Sequence, residues 1–194
     1  MTVRVERLED VSRVDIAKGF CAVTRSAELR EMLLRILELD AVVFAALEGS
    51  VLVGYTADLS FLPIAFGGGL IERRWQRVPC ARELGAIEVA RSCRATGVAR
   101  ELLAAQVAGG RLDEQILIGE GLCWHWDNEG RGLSVSECRA RLLRLFANAG
   151  FGKYQTDEPE VSYSLSNFLV ARVGSRVPSE SVAAFEAALF LGRT

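Results

Sequence analysis

Residues 83–107 read ELGAIEVARSCRATGVARELLAAQV, and the fold turns on them. The stretch Arg82–Ala90 alternates as a strand does. Strict alternation puts Glu83, Gly85, Ile87 and Val89 on one side, and Leu84, Ala86, Glu88 and Ala90 on the other. A loop follows over 91–96, and a helix starts at Gly97, with Ala99, Leu102, Leu103 and Val107 on one face. Gly109-Gly110 ends it. The first amides of a helix have no carbonyl partner and carry a partial positive charge, so this strand–loop–helix corner can hold a phosphate. Gly97 has no Cβ to keep a ligand away from the backbone, and Arg94 adds a cation nearby. Neither a P-loop G-x-x-x-x-G-K-[ST] nor a dinucleotide G-x-G-x-x-G is present.

Outward from this corner the chain alternates helices and strands. A helix is expected over 27–39, capped by Ser26, with Leu29, Leu33, Ile36 and Leu37 inward. Two strands, 41–47 and 51–57, flank Glu48-Gly49-Ser50 as a hairpin. Pro63–Pro79 reads as a long loop containing Gly67-Gly68-Gly69 and Arg73-Arg74-Trp75-Gln76-Arg77. Downstream come a strand at 115–122, a helix at 135–149 opened by the capping box Ser134-Val135-Ser136-Glu137, a strand at 168–173 and a helix at 179–190. Residues 1–23 read as an arm or short strand. The order predicts a mixed α/β fold around one sheet in a single domain spanning 1–194, with a core at about 41–175 and an extension at each end.

Composition excludes several classes. The 194 residues carry a net charge of −2, which argues against a general nucleic-acid binder. No apolar run approaches the roughly 20 residues of a membrane span, and Met1–Arg7 has no signal-peptide core. Five cysteines without a C-x-x-C pair fit reduced thiols in a cytoplasmic protein. The solitary His125 rules out paired-imidazole metal chemistry, and no metal site is expected.

The hexapeptide Arg94-Ala95-Thr96-Gly97-Val98-Ala99 resembles the [Q/R]-x-x-G-x-[G/A] pyrophosphate loop of the GNAT N-acetyltransferases. The likeness extends through Glu83–Val89, Cys123-Trp124-His125-Trp126-Asp127, Gly132–Val135, Gly150-Phe151 and Thr156–Glu160. Their order and spacing over about 83–175 are similar to the acetoin-utilization protein A (AcuA) branch. The loop departs from the family at Ala95, where glycine is common, at Thr96, and at Ala99, which replaces the commoner second glycine. The resemblance implies a GNAT (acyl-CoA N-acyltransferase) fold with a mixed, mostly antiparallel sheet flanked by helices. It implies acetyl-CoA as cosubstrate and a protein substrate, the AMP-forming acetyl-CoA synthetase, acetylated on lysine in a ternary complex. A small-amine acetyltransferase and a non-catalytic coenzyme-A-binding module remain open, as does a homodimer through the helix at 135–149.

The resemblance also assigns roles. Coenzyme A is expected on Arg94, Ala95, Thr96, Gly97, Val98 and Ala99, and on the backbone of Ile87 and Val89. Glu83, eleven residues before Arg94, matches the strand glutamate that acts as general base in histone-acetylating GNATs. The alternative for Glu83 is an ion pair with an arginine; Glu88 is expected to be solvated or structural. His125 is a candidate for the acceptor channel, and Tyr154 or Tyr163 for a general acid, with Tyr154 preferred. Arg73, Arg74 and Arg77 read as a solvated run, with the coenzyme 3′-phosphate or an acidic partner as the alternative.

Overall fold

The computed structural model describes residues 2–20, 26–66, 69–128, 130 and 132–192. Its strands are β1 (Arg4–Arg7), β2 (Asp15–Ile16), β3 (Val42–Glu48), β4 (Val51–Leu59), β5 (Ile64–Phe66), β6 (Gly69–Ile71), β7 (Ala81–Val89), β8 (Ile116–Gly121), β9 (Gly152–Tyr154) and β10 (Phe168–Val173). Its helices are α1 (Ser26–Leu37), α2 (Val98–Val107), α3 (Val135–Asn148), α4 (Pro159–Ser162) and α5 (Ser179–Ala188). The main sheet runs β1-β3-β4-β7-β8-β10-β9, with β2 added parallel to β4. All pairings on the main path are antiparallel except β7–β8, which is parallel.

The expected order holds, and the differences are short elements. The 63–79 segment contains the β5–β6 hairpin and a 3-10 turn at Arg74–Arg77. Elements of two to four residues, such as β2, β9 and α4, are too short for periodicity to reveal and form because a neighbouring element pairs with or packs on them. Ser26 lies inside α1, not at its cap; Cys21, Gly67 and Gly68 lie outside the described residues. The capping box forms: Ser134 Oγ accepts from the Glu137 amide at 3.2 Å, and Glu137 Oε2 accepts from the Ser134 amide at 2.9 Å.

Apolar side chains cover both faces of the sheet. On one face α1 packs through Leu29 and Leu33 on Val43, Ala45, Tyr55 and Ala57, and α5 packs through Phe185 on Trp75, Ile116, Ile118 and Leu169. On the other face Leu103 of α2 and Phe146 of α3 meet Leu84, Leu117, Phe168 and Val170, while Val98 and Leu102 meet Val53 and Val89. Gly54 permits the close approach of α2: a Cβ there would stand 3.1 Å from Leu102 and 3.2 Å from Val98. At the far end of α2 the fully buried Asp58 binds Arg82 (2.5 Å) and Arg111, and accepts from Gln106. Two guanidinium groups thus compensate a carboxylate that burial would otherwise penalise.

Strict alternation fails in β7. Ala57 pairs with Ala86, but Asp58 pairs with Leu84, so Gly85 is an extra residue bulged out of the ladder. The bulge reverses parity. Leu84, Ile87 and Val89 pack toward α2 and α3, while Ala86 packs in the α1 cluster and Glu88 reaches Tyr55 of that cluster. Glu83 therefore shares a face with Ala86 and Glu88, instead of with Ile87 and Val89.

Candidate active site

The two central strands part. β7 and β8 pair from Ala81↔Ile116 to Glu83↔Ile118 and no further. Beyond that point β7 is hydrogen-bonded only to β4, and β8 only to β10. The Ala90 amide donates to Val53 O at 2.8 Å, so hydrogen-bonded pairs on the β4 side fall at residues 90, 88 and 86 of β7. The backbone groups of Ile87 and Val89 consequently point the other way, into the cleft left by β8.

At the end of this cleft lies the corner at 94–99 where a phosphate is expected. Ala95 has φ 65° and Gly97 has φ 95°, and Gly97 caps α2. Arg100 and Glu101 donate their amides to Gly97 O at 2.9 and 3.1 Å, which leaves the amides of Gly97, Val98 and Ala99 at the open start of the helix. Thr96 Oγ1 donates to Cys93 O at 2.6 Å, and so braces the loop from inside. A cavity of about 320 Å³ extends from here, walled by β7, α2 and α3. Ile87, Val89, Arg94, Ala95, Gly97, Val98 and Ala99 all line it; Thr96 does not. Arg100 and Arg141 add positive charge to the wall, and Leu142 and Leu145 an apolar side. The residues present fit a diphosphate carrying a long, uncharged arm.

Arg94 is a strut as well as a cation. Its Nε donates to Val89 O at 3.0 Å, and its Nη1 pairs with Asp127. Asp127 also takes a two-pronged contact from Arg91, at 2.8 and 3.1 Å. The loop is thereby tied to the segment carrying His125, which is exposed and lines the cavity. In the sequence Asp127 shares the ambiguity of His125, between the acceptor path and a structural role. Its carboxylate among arginines of another loop becomes visible only in three dimensions.

Ala95 occupies a left-handed conformation that costs an L-residue about 1 kcal/mol. Ala95→Gly should therefore raise the melting temperature by about 2 °C. Calorimetry checks this, and a lower melting temperature would mean that the loop relaxes without strain.

On the opposite face of the cleft stands a cluster of carboxylates. Glu83 is paired with Arg73 at 2.6 Å, and Arg73 Nη2 lies 3.6 Å from Glu120 of β8. Glu120 also accepts from Trp75 Nε1 at 2.8 Å. Its side chain is only 11% exposed. Burial, with Glu158 and Glu83 nearby, raises its pKa to about 7 against the pull of Trp75 and Arg73. Glu120 was overlooked in sequence because it sits inside an apolar strand. The signal was available: it shares parity with Ile116 and Ile118, both buried. Glu88, expected to be solvated or structural, is 4% exposed, and its carboxylate accepts from Tyr55 OH at 3.2 Å.

Tyr154 packs edge-on against Phe185, centroids 5.1 Å apart, on the Trp75 face of the sheet. Glu83 and Tyr154 thus lie across the sheet from the cavity that His125 lines. The arginine run is not a solvated one throughout. Arg73 serves the carboxylate cluster, and Arg74 binds Asp157 at 2.6 Å and the carbonyls of Ala188 and Leu189. Arg77 alone of the three is exposed, paired with Glu72. Among the described residues, no group of three or more His, Cys, Asp and Glu side chains is placed to hold a metal ion. None of their helices is long and apolar enough to cross a membrane.

The chain is 30% identical over 188 residues to the acetoin utilization protein AcuA of Bacillus subtilis, covering 95% of this chain and 86% of that one. The chain belongs to the AcuA family of GNAT acetyltransferases. The crystal structure of an acetoin utilization protein from Exiguobacterium sibiricum superposes on this AcuA-family chain with a TM-score of 0.86 at 25% identity, covering 98% and 96% of the two chains. The yncA protein of Salmonella typhimurium, solved with its cofactor acetyl-CoA, shares the fold at a TM-score of 0.50 and 14% identity, over 80% and 77% of the chains. No protein-family model matches.

Proposed function

We propose that this AcuA-family chain uses acetyl-CoA to acetylate a lysine of a protein, the AMP-forming acetyl-CoA synthetase. The observation that carries the reading is the parting of β7 from β8, which aims the backbone of Ile87 and Val89 into a cavity ending at the open amides of α2. Bound there, acetyl-CoA supplies an acetyl thioester. The amides of Gly97, Val98 and Ala99 hold its diphosphate, and Arg94, braced by Asp127, keeps the loop in shape. The backbone of Ile87 and Val89 lines up the pantetheine arm. The Val89 amide donates to the thioester oxygen, so that charge developing there is stabilised.

The acceptor enters from the other face, where carboxylates outnumber cations. Glu120 takes the proton of the lysine ammonium. The freed amine forms the new N–C bond as the C–S bond breaks, and the thiolate of coenzyme A departs. A base with a pKa near neutrality suits this task, since it is deprotonated at working pH yet still basic. Glu83, the base expected from sequence, is committed to Arg73 and with it sets the field around Glu120. His125, on the wall of the coenzyme cavity, lines the acceptor path. Tyr154 stands edge-on to Phe185 on this face, and a thiolate can leave unprotonated.

Mass spectrometry of the synthetase after incubation with labelled acetyl-CoA tests the reading. The expected result is one labelled lysine and release of free thiol. Thiol release with free amines alone would replace the protein acceptor by a small molecule. Tight coenzyme binding without any thiol release would reduce the chain to a binding module.

A further inference from the structure

Beside the acceptor face lies an apolar ledge that the fold does not need. Trp124 is 47% exposed, Tyr163 83%, and Leu165 fully exposed. Trp124 and Tyr163 meet edge to face, with ring centroids 5.9 Å apart. They come from distant segments and are pinned together from below. Asn167, 5% exposed, accepts from the Cys123 amide at 2.8 Å and donates to Glu160 O at 2.7 Å. A large aromatic pair held rigidly in solvent is what interface anchors look like, because it offers contact area at little entropic cost.

Its position defines what it would bind. On one side Trp124 touches His125, centroids 5.9 Å apart, at the coenzyme cavity. On the other, Tyr163 ends α4, whose Glu160 lies within electrostatic reach of Arg73 and whose capping Glu158 lies within reach of Glu120. The ledge is thus continuous with a mouth bearing Glu83, Glu120, Glu158 and Glu160, which favours a cation.

We infer that Trp124, Tyr163 and Leu165 dock the acceptor polypeptide by an apolar side chain next to the lysine being acetylated. This rests on the protein-lysine reading above. An ammonium alone would gain nothing from the ledge, whereas a lysine flanked by leucine or phenylalanine places its charge among the carboxylates and its neighbour on the rings.

Two synthetic peptides that differ only beside the lysine, leucine in one and serine in the other, test it. The wild-type chain should favour the leucine peptide roughly tenfold in kcat/KM, mainly through KM. Tyr163→Ser/Leu165→Ser, both far from the core, should bring the ratio close to one while acetyl-CoA affinity in calorimetry stays the same. Acetylation of both peptides with equal efficiency by the wild type would overturn the ledge and leave the protein-lysine reading intact. So would a preference that survives the double substitution. Acetylation of neither peptide, with small amines acetylated instead, would overturn both.

Discussion

Glu120→Gln should cost activity and gain stability, each by a large margin. Removing a general base lowers kcat by about 100- to 1000-fold. The wild-type rate should rise with pH through about 7 as Glu120 loses its proton, and this inflection should vanish in the variant. Stability moves the other way. The folded pKa of Glu120 is raised from 4.5 to about 7, so between those values the folded chain keeps a proton that the unfolded chain has released. Its contribution to stability is fully present below pH 4.5 and is lost as pH rises through 7, at a cost of about 3 kcal/mol. Glutamine keeps the acceptor for Trp75 and never ionises, so it escapes that cost. The variant should match the wild type at pH 4.5 and exceed it by about 3 kcal/mol at pH 8, roughly 8 °C in melting temperature. Taking the difference between the two proteins cancels the titrating groups that do not interact with Glu120. Equal stability at pH 8 would mean that Glu120 is not held in an environment hostile to its charge.

The companion substitution Glu83→Gln separates the two carboxylates. It removes one negative neighbour of Glu120 and leaves Arg73 nearer to Glu120 alone. The rate inflection should then move to lower pH with a smaller loss of kcat. Loss of the inflection in Glu83→Gln, and its survival in Glu120→Gln, would return the base to Glu83.

What could be read in advance follows the length scale of the signal. The helices at 98–107 and 135–148 and the strand at 168–173 each carry a periodic apolar face, and they form at or within a residue of where that face places them. The loop 94–99 was legible because its chemistry is local: free amides, a glycine with positive φ and a neighbouring cation. The orientation of Glu83 was not. It depends on the bulge at Gly85, which is set by the register against β4, a strand about thirty residues earlier. Glu120 illustrates the same limit from another side. Its raised pKa comes from burial and from Glu158 and Glu83, against the pull of Trp75 and Arg73; these groups are drawn from three separate segments, and no spacing rule connects them. The carboxylates of this cluster are legible as residues, while their pairing is a property of the assembled sheet.

Gly97→Glu should abolish coenzyme binding. Glycine is required at this position first by its backbone: φ is 95°, where a side chain is strained. Space is not the obstacle, since the nearest atom to an added Cβ would be the Arg100 guanidinium at 3.6 Å. Gly97→Ala therefore measures strain alone, and should lower stability by about 1–2 kcal/mol while weakening acetyl-CoA only modestly. Glutamate adds a carboxylate among the amides of Val98 and Ala99 and beside Arg94 and Arg100. It repels the diphosphate and competes for the same donors. Losing two charge-assisted hydrogen bonds costs about 3–6 kcal/mol, more than 100-fold in affinity. Calorimetric titration with acetyl-CoA should show no binding up to about 100 times the wild-type Kd, with the variant still folded. An unchanged Kd in a folded Gly97→Glu protein would place the diphosphate elsewhere, because no anion at this helix start could ignore a charge put into its seat.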